Sequence, residues 1–218
     1  MIKRILIADD HYITRLGLEV MLKELFSFAT IDQAGDGEEV HQLALGNDYD
    51  LAILDVNMPG AEGVGLVEIL RQRKPGMPIL IHTMSPEELF ALRFYRAGVA
   101  GYISKESDPH LIKAALRTVT EGKKYFSKHI LNQIANSYLG MAKENPFANL
   151  SNREFEIAMQ LTKGHTLTEI SGNLNLQKTT ICTYKKRVFE KLGIKTVIEL
   201  LELSRMYNNH APSSHAIT

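Results

Sequence analysis

The chain has 218 residues, 44% of them hydrophobic, which is enough for two small packed domains and too apolar for a disordered chain. Its 25 basic and 25 acidic side chains cancel, so the molecule as a whole advertises neither a nucleic-acid nor a membrane surface. The single cysteine, Cys182, excludes an internal disulfide framework, and no stretch has the length of a membrane span or the pattern of a secretory signal, so the expected compartment is the cytoplasm.

Residues 4 to 9, RILIAD, predict a short aliphatic strand that runs into two acids, Asp9 and Asp10. Ile13, Leu16, Leu18, Val20, Met21, Leu22 and Leu25 follow at helical spacing and predict an apolar face. A weaker strand over Thr30 to Ala34, a turn at Asp36-Gly37 and a helix through Val40, Leu43 and Leu45 come next. Leu51 to Pro59 reads LAILDVNMP: four apolar residues closed by a turn signal predict a buried parallel strand ending at Asp55. A helix from about Gly63 to Arg73, a strand from Ile79 to Thr83, a helix opened by Pro86, a strand over Val99 to Ser104 and a helix begun by Pro109 complete the series. This alternation predicts an α/β domain over residues 1–122, a doubly wound five-stranded parallel sheet whose strand carboxyl ends share one edge.

Residues 123–149 read as a linker with one helix, Ser127 to about Gly140, closed by an exposed stretch, KENPFAN. No Pro occurs from Leu150 until Pro212, and four helical patterns (151–163, 166–173, 177–192, 196–207) predict a small all-α domain over 150–207. Residues 208–218 carry no core signal and read as a disordered tail.

The predicted sheet gathers Asp9, Asp10, Asp55, Thr83 and Lys105 on one rim. Carboxylates converging there suit a hard divalent cation such as Mg2+. Asp55 is then placed to act as a nucleophile toward phosphorus, with Lys105 offsetting charge and Thr83 hydrogen-bonding a phosphoryl oxygen. Each residue also has a purely structural explanation: Asp55 as a turn residue, Asp9 or Asp10 as a helix N-cap, Thr83 as a β-branched strand residue, Lys105 as a solvated charge, Tyr102 as a half-buried aromatic. The eight histidines show no pair at metal-ligand spacing, and His82 stands where an aliphatic residue would be ordinary.

With the acid pair, the Asp55-x-x-Met58-Pro59-Gly60 loop, Thr83 closing the fourth strand and Gly101-Tyr102-Ile103-Ser104-Lys105 on the fifth, residues 1 to 122 resemble the receiver domain of bacterial two-component response regulators, a flavodoxin-like fold. The resemblance implies that Asp55 accepts phosphate from a histidine kinase. It implies that Asp10 and Asp55 bind Mg2+ directly, Asp9 through water and Asn57 through its backbone carbonyl, and that Tyr102 swings inward with Thr83 when Asp55 is charged.

Leu150 to Tyr207 holds nine Lys/Arg and six Asp/Glu, so the two halves differ in sign. Ser151 and Glu154 form a capping-box pattern ahead of Phe155, Ile157, Ala158 and Leu161. A short helix and then a basic one, with six Lys/Arg against one Glu between Lys178 and Lys195, are the elements of a helix-turn-helix. The motif L-S-x-R-E-x-E-I, with Gly164, Glu169-Ile170, Leu174, Thr180-Ile181 and Lys191-Leu192-Gly193, resembles the LuxR/FixJ type of DNA-binding domain. Lys178, Thr179, Thr183, Tyr184, Lys185, Lys186, Arg187 and Lys191 are the candidate contacts. Tyr184 stands where that family usually has His, Cys182 where it has a basic residue, and Thr196-Val197 where it has Asn-Arg, which puts two or three usual contacts in doubt.

These readings converge on a DNA-binding transcriptional regulator of a two-component system rather than an enzyme. Its expected partners are a histidine kinase, double-stranded DNA, a second copy of itself when phosphorylated and RNA polymerase. A phosphatase of the haloacid dehalogenase type also uses an Asp after a buried strand, but the second acid it needs two residues on is Asn57 here. A receiver that serves only as a protein-binding module, indifferent to phosphate, is the other alternative.

Overall fold

The computed structural model describes residues 2–61, 63–138, 145–174 and 176–208, and the chain divides into two units, Met1–Ile134 and Ala135–Thr218. In the first, β1 (Arg4–Ala8), β2 (Thr30–Ala34), β3 (Leu51–Leu54), β4 (Ile79–Thr83) and β5 (Gly101–Ser104) alternate with α1 (Tyr12–Leu25), α2 (Gly37–Gly46), α3 (Val64–Arg73), α4 (Glu87–Arg96) and α5 (Pro109–Thr120). The strands pair in parallel in the order β2-β1-β3-β4-β5, the doubly wound order with its switch point between β1 and β3. β3 and β4 are buried along their whole length, because helices cover both faces of the sheet and leave no strand side for water.

Register then decides where chemistry can occur. Ala8 pairs with Leu54 and Thr83 with Ser104, so the next residues, Asp9, Asp55 and Lys105, emerge together at the carboxyl edge. The Asp55 N–H donates to the Ala8 carbonyl at 2.7 Å and the Lys105 N–H to that of Thr83 at 3.0 Å, carrying the ladder one residue past the strands. The α2 start is packed so tightly on the β3–α3 loop that a Cβ on Gly37 would meet the Gly60 carbonyl oxygen at 2.0 Å, which accounts for the Asp36-Gly37 turn.

Two expectations change, one about an apolar face and one about where the first unit ends. In α1 only Leu18 and Leu22 are buried, while Ile13, Leu16 and Val20 face water. The apolar residues that read as one face occupy two, because their spacing mixes positions nearly opposite on a 3.6-residue repeat. The receiver-like unit also extends beyond residue 122. Tyr125 pairs in parallel with Gly101, Tyr102 N–H donates to the Tyr125 carbonyl at 3.0 Å, and Phe126, Ile130 and Ile134 lie in the sheet's core. Phe126 meets Tyr95 edge-on, and α6 (Lys128–Tyr138) begins on this anchored segment.

In the second unit α7 (Asn152–Thr162), α8 (Leu167–Asn173), α9 (Lys178–Leu192) and α10 (Val197–Asn208) match the four predicted helices closely. KENPFAN is not simply an exposed linker: Pro146–Asn149 forms a 3-10 turn whose Phe147 is buried, edge-on to Phe155 and Tyr207. An aromatic of that size is worth more inside a small core than in water. Lys143 and Glu144, the end of the predicted linker helix at Gly140, and the predicted tail after Asn208 lie outside the described residues.

Gly101 generates a prediction. A Cβ there would sit 2.8 Å from the Tyr125 carbonyl oxygen and 2.9 Å from Leu80 Cδ1. Gly101→Ala is expected to destabilise the first unit by about 1–3 kcal/mol through overpacking, read as a lower urea midpoint with an unchanged slope.

Candidate functional site

The acidic rim is built from loops that follow β1, β3, β4 and β5. Asp9 and Asp55 are almost wholly buried, at 1% and 3% exposure, while Asp10 opens toward solvent. Each buried carboxylate divides its work. Asp9 Oδ1 accepts from the His11 N–H at 2.8 Å and Asp55 Oδ1 from the Asn57 N–H at 3.0 Å, so one oxygen of each fixes its own loop. The other two oxygens meet one cation: Lys105 Nζ lies 2.7 Å from Asp9 Oδ2 and 2.7 Å from Asp55 Oδ2. Burial alone would lower the lysine's pKa, but its contacts with Asp55 and Asp9 override that and hold it above the ordinary value.

Three carboxylates against one ammonium leave two negative charges uncompensated in the cluster, a charge deficit that a divalent cation matches. Single ligand atoms of Asp9, Asp10, His11 and Asp55 all lie within 4.8 Å of one another. Asp9 Oδ2 is buried and receives no directed hydrogen bond, its approach to Lys105 being ionic in geometry. An oxygen-rich set with a spare buried acceptor fits Mg2+. Neither aspartate caps α1; His11 occupies that position.

Around this centre, Thr83 Oγ1 accepts from Asn57 Nδ2 at 2.9 Å and from the Ser85 N–H at 3.3 Å. The same Asn57 amide donates to Ser85 Oγ at 3.0 Å. Tyr102 already points inward: its ring is buried against Phe94 and its hydroxyl donates to the Ser85 carbonyl at 2.8 Å. Burial holds the phenol pKa well above its usual value, so it stays a neutral donor. The sequence reading missed His11 and Ser85. A His directly after an acid pair was the available signal for the first; nothing marked the second.

The basic helix α9 buries Ile181 and Val188 and exposes Lys178, Thr179, Thr183, Lys186, Arg187 and Lys191, with Tyr184 and Lys185 half-buried. Arg187 stacks over Tyr184 and Lys185 over Phe189, at 5.9 and 5.3 Å. Lys191 is committed elsewhere: its Nζ is 2.7 Å from the buried Glu154 carboxylate, whose other contacts close the capping box with Ser151. Burial would raise the Glu154 pKa, but Lys191 and Ser151 together keep it below the ordinary value.

A doubly wound unit with this rim, followed by a helix-turn-helix with a basic exposed face, defines a signalling protein with an acidic input site and a DNA-reading output. Residues 5–117 match the response regulator receiver domain and residues 148–204 the bacterial regulatory proteins of the luxR family. The response regulator UvrY of Escherichia coli K12 is 33% identical over 201 residues, covering 92% of each chain. GacA of Pseudomonas aeruginosa is 35% identical over 202 residues, 92% of this chain and 94% of that one. Among solved structures, RcsB from Salmonella enterica serovar Typhimurium bound to a promoter with a phosphomimetic has the same fold, with a TM-score of 0.69 at 24% identity over 96% of this chain and all of that one. A structure of two RcsB dimers bound to two parallel DNAs gives a TM-score of 0.58 at 25% identity, over 94% of this chain and 98% of that one. The chain belongs to the luxR-type response regulators, DNA-binding transcriptional regulators of two-component systems.

His82 lies on β4 beside this site, 4% exposed, with neither ring nitrogen hydrogen-bonded. Burial, helped by the Lys105 charge, pushes its pKa down to about 4 from 6.5. The unfolded chain therefore binds a proton that the folded chain refuses. Stability from this group is full above pH 6.5 and falls as pH drops toward 4, by about 3 kcal/mol in all. His82→Leu is expected to flatten that acid limb in urea melts between pH 4 and 7; an unchanged limb would assign it to other groups.

Proposed function

We propose that Asp55 is the phosphoacceptor and that its charge state governs DNA binding by α9. The observation that carries this is the pair of 2.7 Å contacts from Lys105 to Asp9 and Asp55, which sets a nucleophilic carboxylate beside a ready counter-charge. The donor is a kinase phosphohistidine: its P–N bond breaks as the Asp55 O–P bond forms, and the imidazole leaves. Asp10 and Asp55 would hold Mg2+ directly, with Asp9 reaching it through water and Asn57 offering its backbone carbonyl. When bound, the metal offsets the negative charge of the incoming phosphoryl group. Lys105 moves its partnership from carboxylate to phosphoryl oxygen. The Thr83 hydroxyl, used as an acceptor by Asn57 and Ser85, turns its proton to the same group.

Tyr102 follows because its hydroxyl rests on Ser85, in the same loop as Thr83. The exposed apolar stripe of Ile13, Leu16 and Val20 starts one turn beyond the acid pair and supplies a docking face for the kinase. Asn57 in place of an acid leaves no general acid for turnover of a substrate, in keeping with a switch.

On the output side, Thr179, Thr183, Lys186 and Arg187 form the exposed stripe opposite Ile181 and Val188 and enter the major groove, with Lys178 at the helix start and Tyr184 and Lys185 flanking them. Lys191 stays with Glu154 and is set apart from the contacts. The RcsB dimers on DNA support a dimeric bound form. Cys182 as the lone thiol, together with the absence among the described residues of any helix able to cross a membrane, supports a cytoplasmic protein.

Two measurements test this. Asp55→Asn is expected to abolish labelling by radioactive acetyl phosphate in Mg2+, and acid-stable, base-labile label persisting on that variant would overturn the assignment. Lys186→Ala and Arg187→Ala should each weaken DNA binding and reduce the log–log salt slope by about 1. Lys191→Met should leave that slope unchanged while lowering the melting temperature, because Glu154 is left buried without its cation.

A further inference from the structure

We propose that Glu87, Glu88 and His129 form a second divalent-cation site, of the zinc class, joining the first turn of α4 to the first turn of α6. One ligand atom from each of the three residues lies within 4.8 Å of the other two. A four-coordinate zinc ion with bonds of about 2.0–2.1 Å sets its ligands about 3.4 Å apart, so small side-chain rotations complete the set. All three residues are part-buried, and His129 Nδ1 is buried without a hydrogen-bond partner. The helix that carries His129 is anchored: Ser127 Oγ accepts from the Ile130 N–H at 3.2 Å, and Ile130 and Ile134 are sunk in the sheet core.

Charge argues the same way. Glu87 and Glu88 sit in the first turn of α4, whose macrodipole places only about half a positive charge there. Two carboxylates exceed that threefold to fourfold, so the position remains attractive to a cation. The donor set separates this site from the acidic rim. One imidazole with two carboxylates and an open position suits zinc or cobalt, whereas the rim's oxygen-rich set suits Mg2+. Glu87 is two residues beyond Ser85, whose carbonyl holds Tyr102. A metal here pins the linker helix beside the loop that the switch moves.

The test uses the full chain in millimolar Mg2+, which loads the rim, with cobalt as a spectroscopic probe and zinc in calorimetry. One equivalent of cobalt should bind with visible d–d absorption. His129→Gln and Glu87→Gln should each weaken binding at least tenfold while circular dichroism and DNA binding show a folded protein. His11→Ala should bind cobalt as the parent does. Loss of the signal in His11→Ala, its retention in His129→Gln, or no zinc binding tighter than about 100 µM in the parent would overturn the site.

Discussion

Much of the first unit depends on one ammonium group placed between two buried carboxylates. Lys105 reaches back from the end of β5 to acids at the ends of β1 and β3, so a single cation ties three strands together at the edge where no further ladder bonds are made. Burying like charges this close is costly, and removing either partner would strand an ion with no solvent to receive it. The arrangement is consequently tight and unsatisfied together: tight because Lys105 is shared, unsatisfied because one positive charge serves several negative ones. That residual imbalance is what the proposed switch draws on, since a neutral, fully paired cluster would offer a metal or a phosphoryl group nothing to bind.

The path away from the rim is short. Thr83, Ser85 and Asn57 share hydrogen bonds, and the Ser85 carbonyl receives Tyr102 from the neighbouring strand. Tyr102 in turn packs on Phe94 of α4, and Tyr102 N–H is held by the linker residue Tyr125. Thr83 is therefore joined to helix α4 and the linker by residues in direct contact, the route that the proposed switch would use.

Much of this was legible in the sequence. Aliphatic runs closed by acids or turn residues mark the strands, their parallel type and the shared edge, since parallel crossovers have one hand. Asp9, Asp55 and Lys105 stand out together and not singly: each alone has an ordinary structural explanation, but parallel strands bring all three to one edge. What escaped was long-range or directional. His129 lies near two carboxylates at the start of α4, some forty positions earlier, which no local spacing records. Lys191 looked like one more member of a basic face until Glu154, 37 positions earlier, proved to be its partner. Phe147 read as linker because Pro and Asn around it signal a break in pattern, and a break in pattern does not mean absence from the core.

The bridge between Gly101 and Tyr125 bears on how the sheet is kept from pairing edge to edge at β5. An outer strand of a sheet offers unpaired backbone groups that another chain can use as a template. Here β5 is that outer strand, and the segment after α5 returns to occupy its open side with bonds to Ala100 and Tyr102. The linker is thus also the sheet's edge guard, and a fragment ended at residue 122 would keep all five strands while presenting a bare, sticky margin.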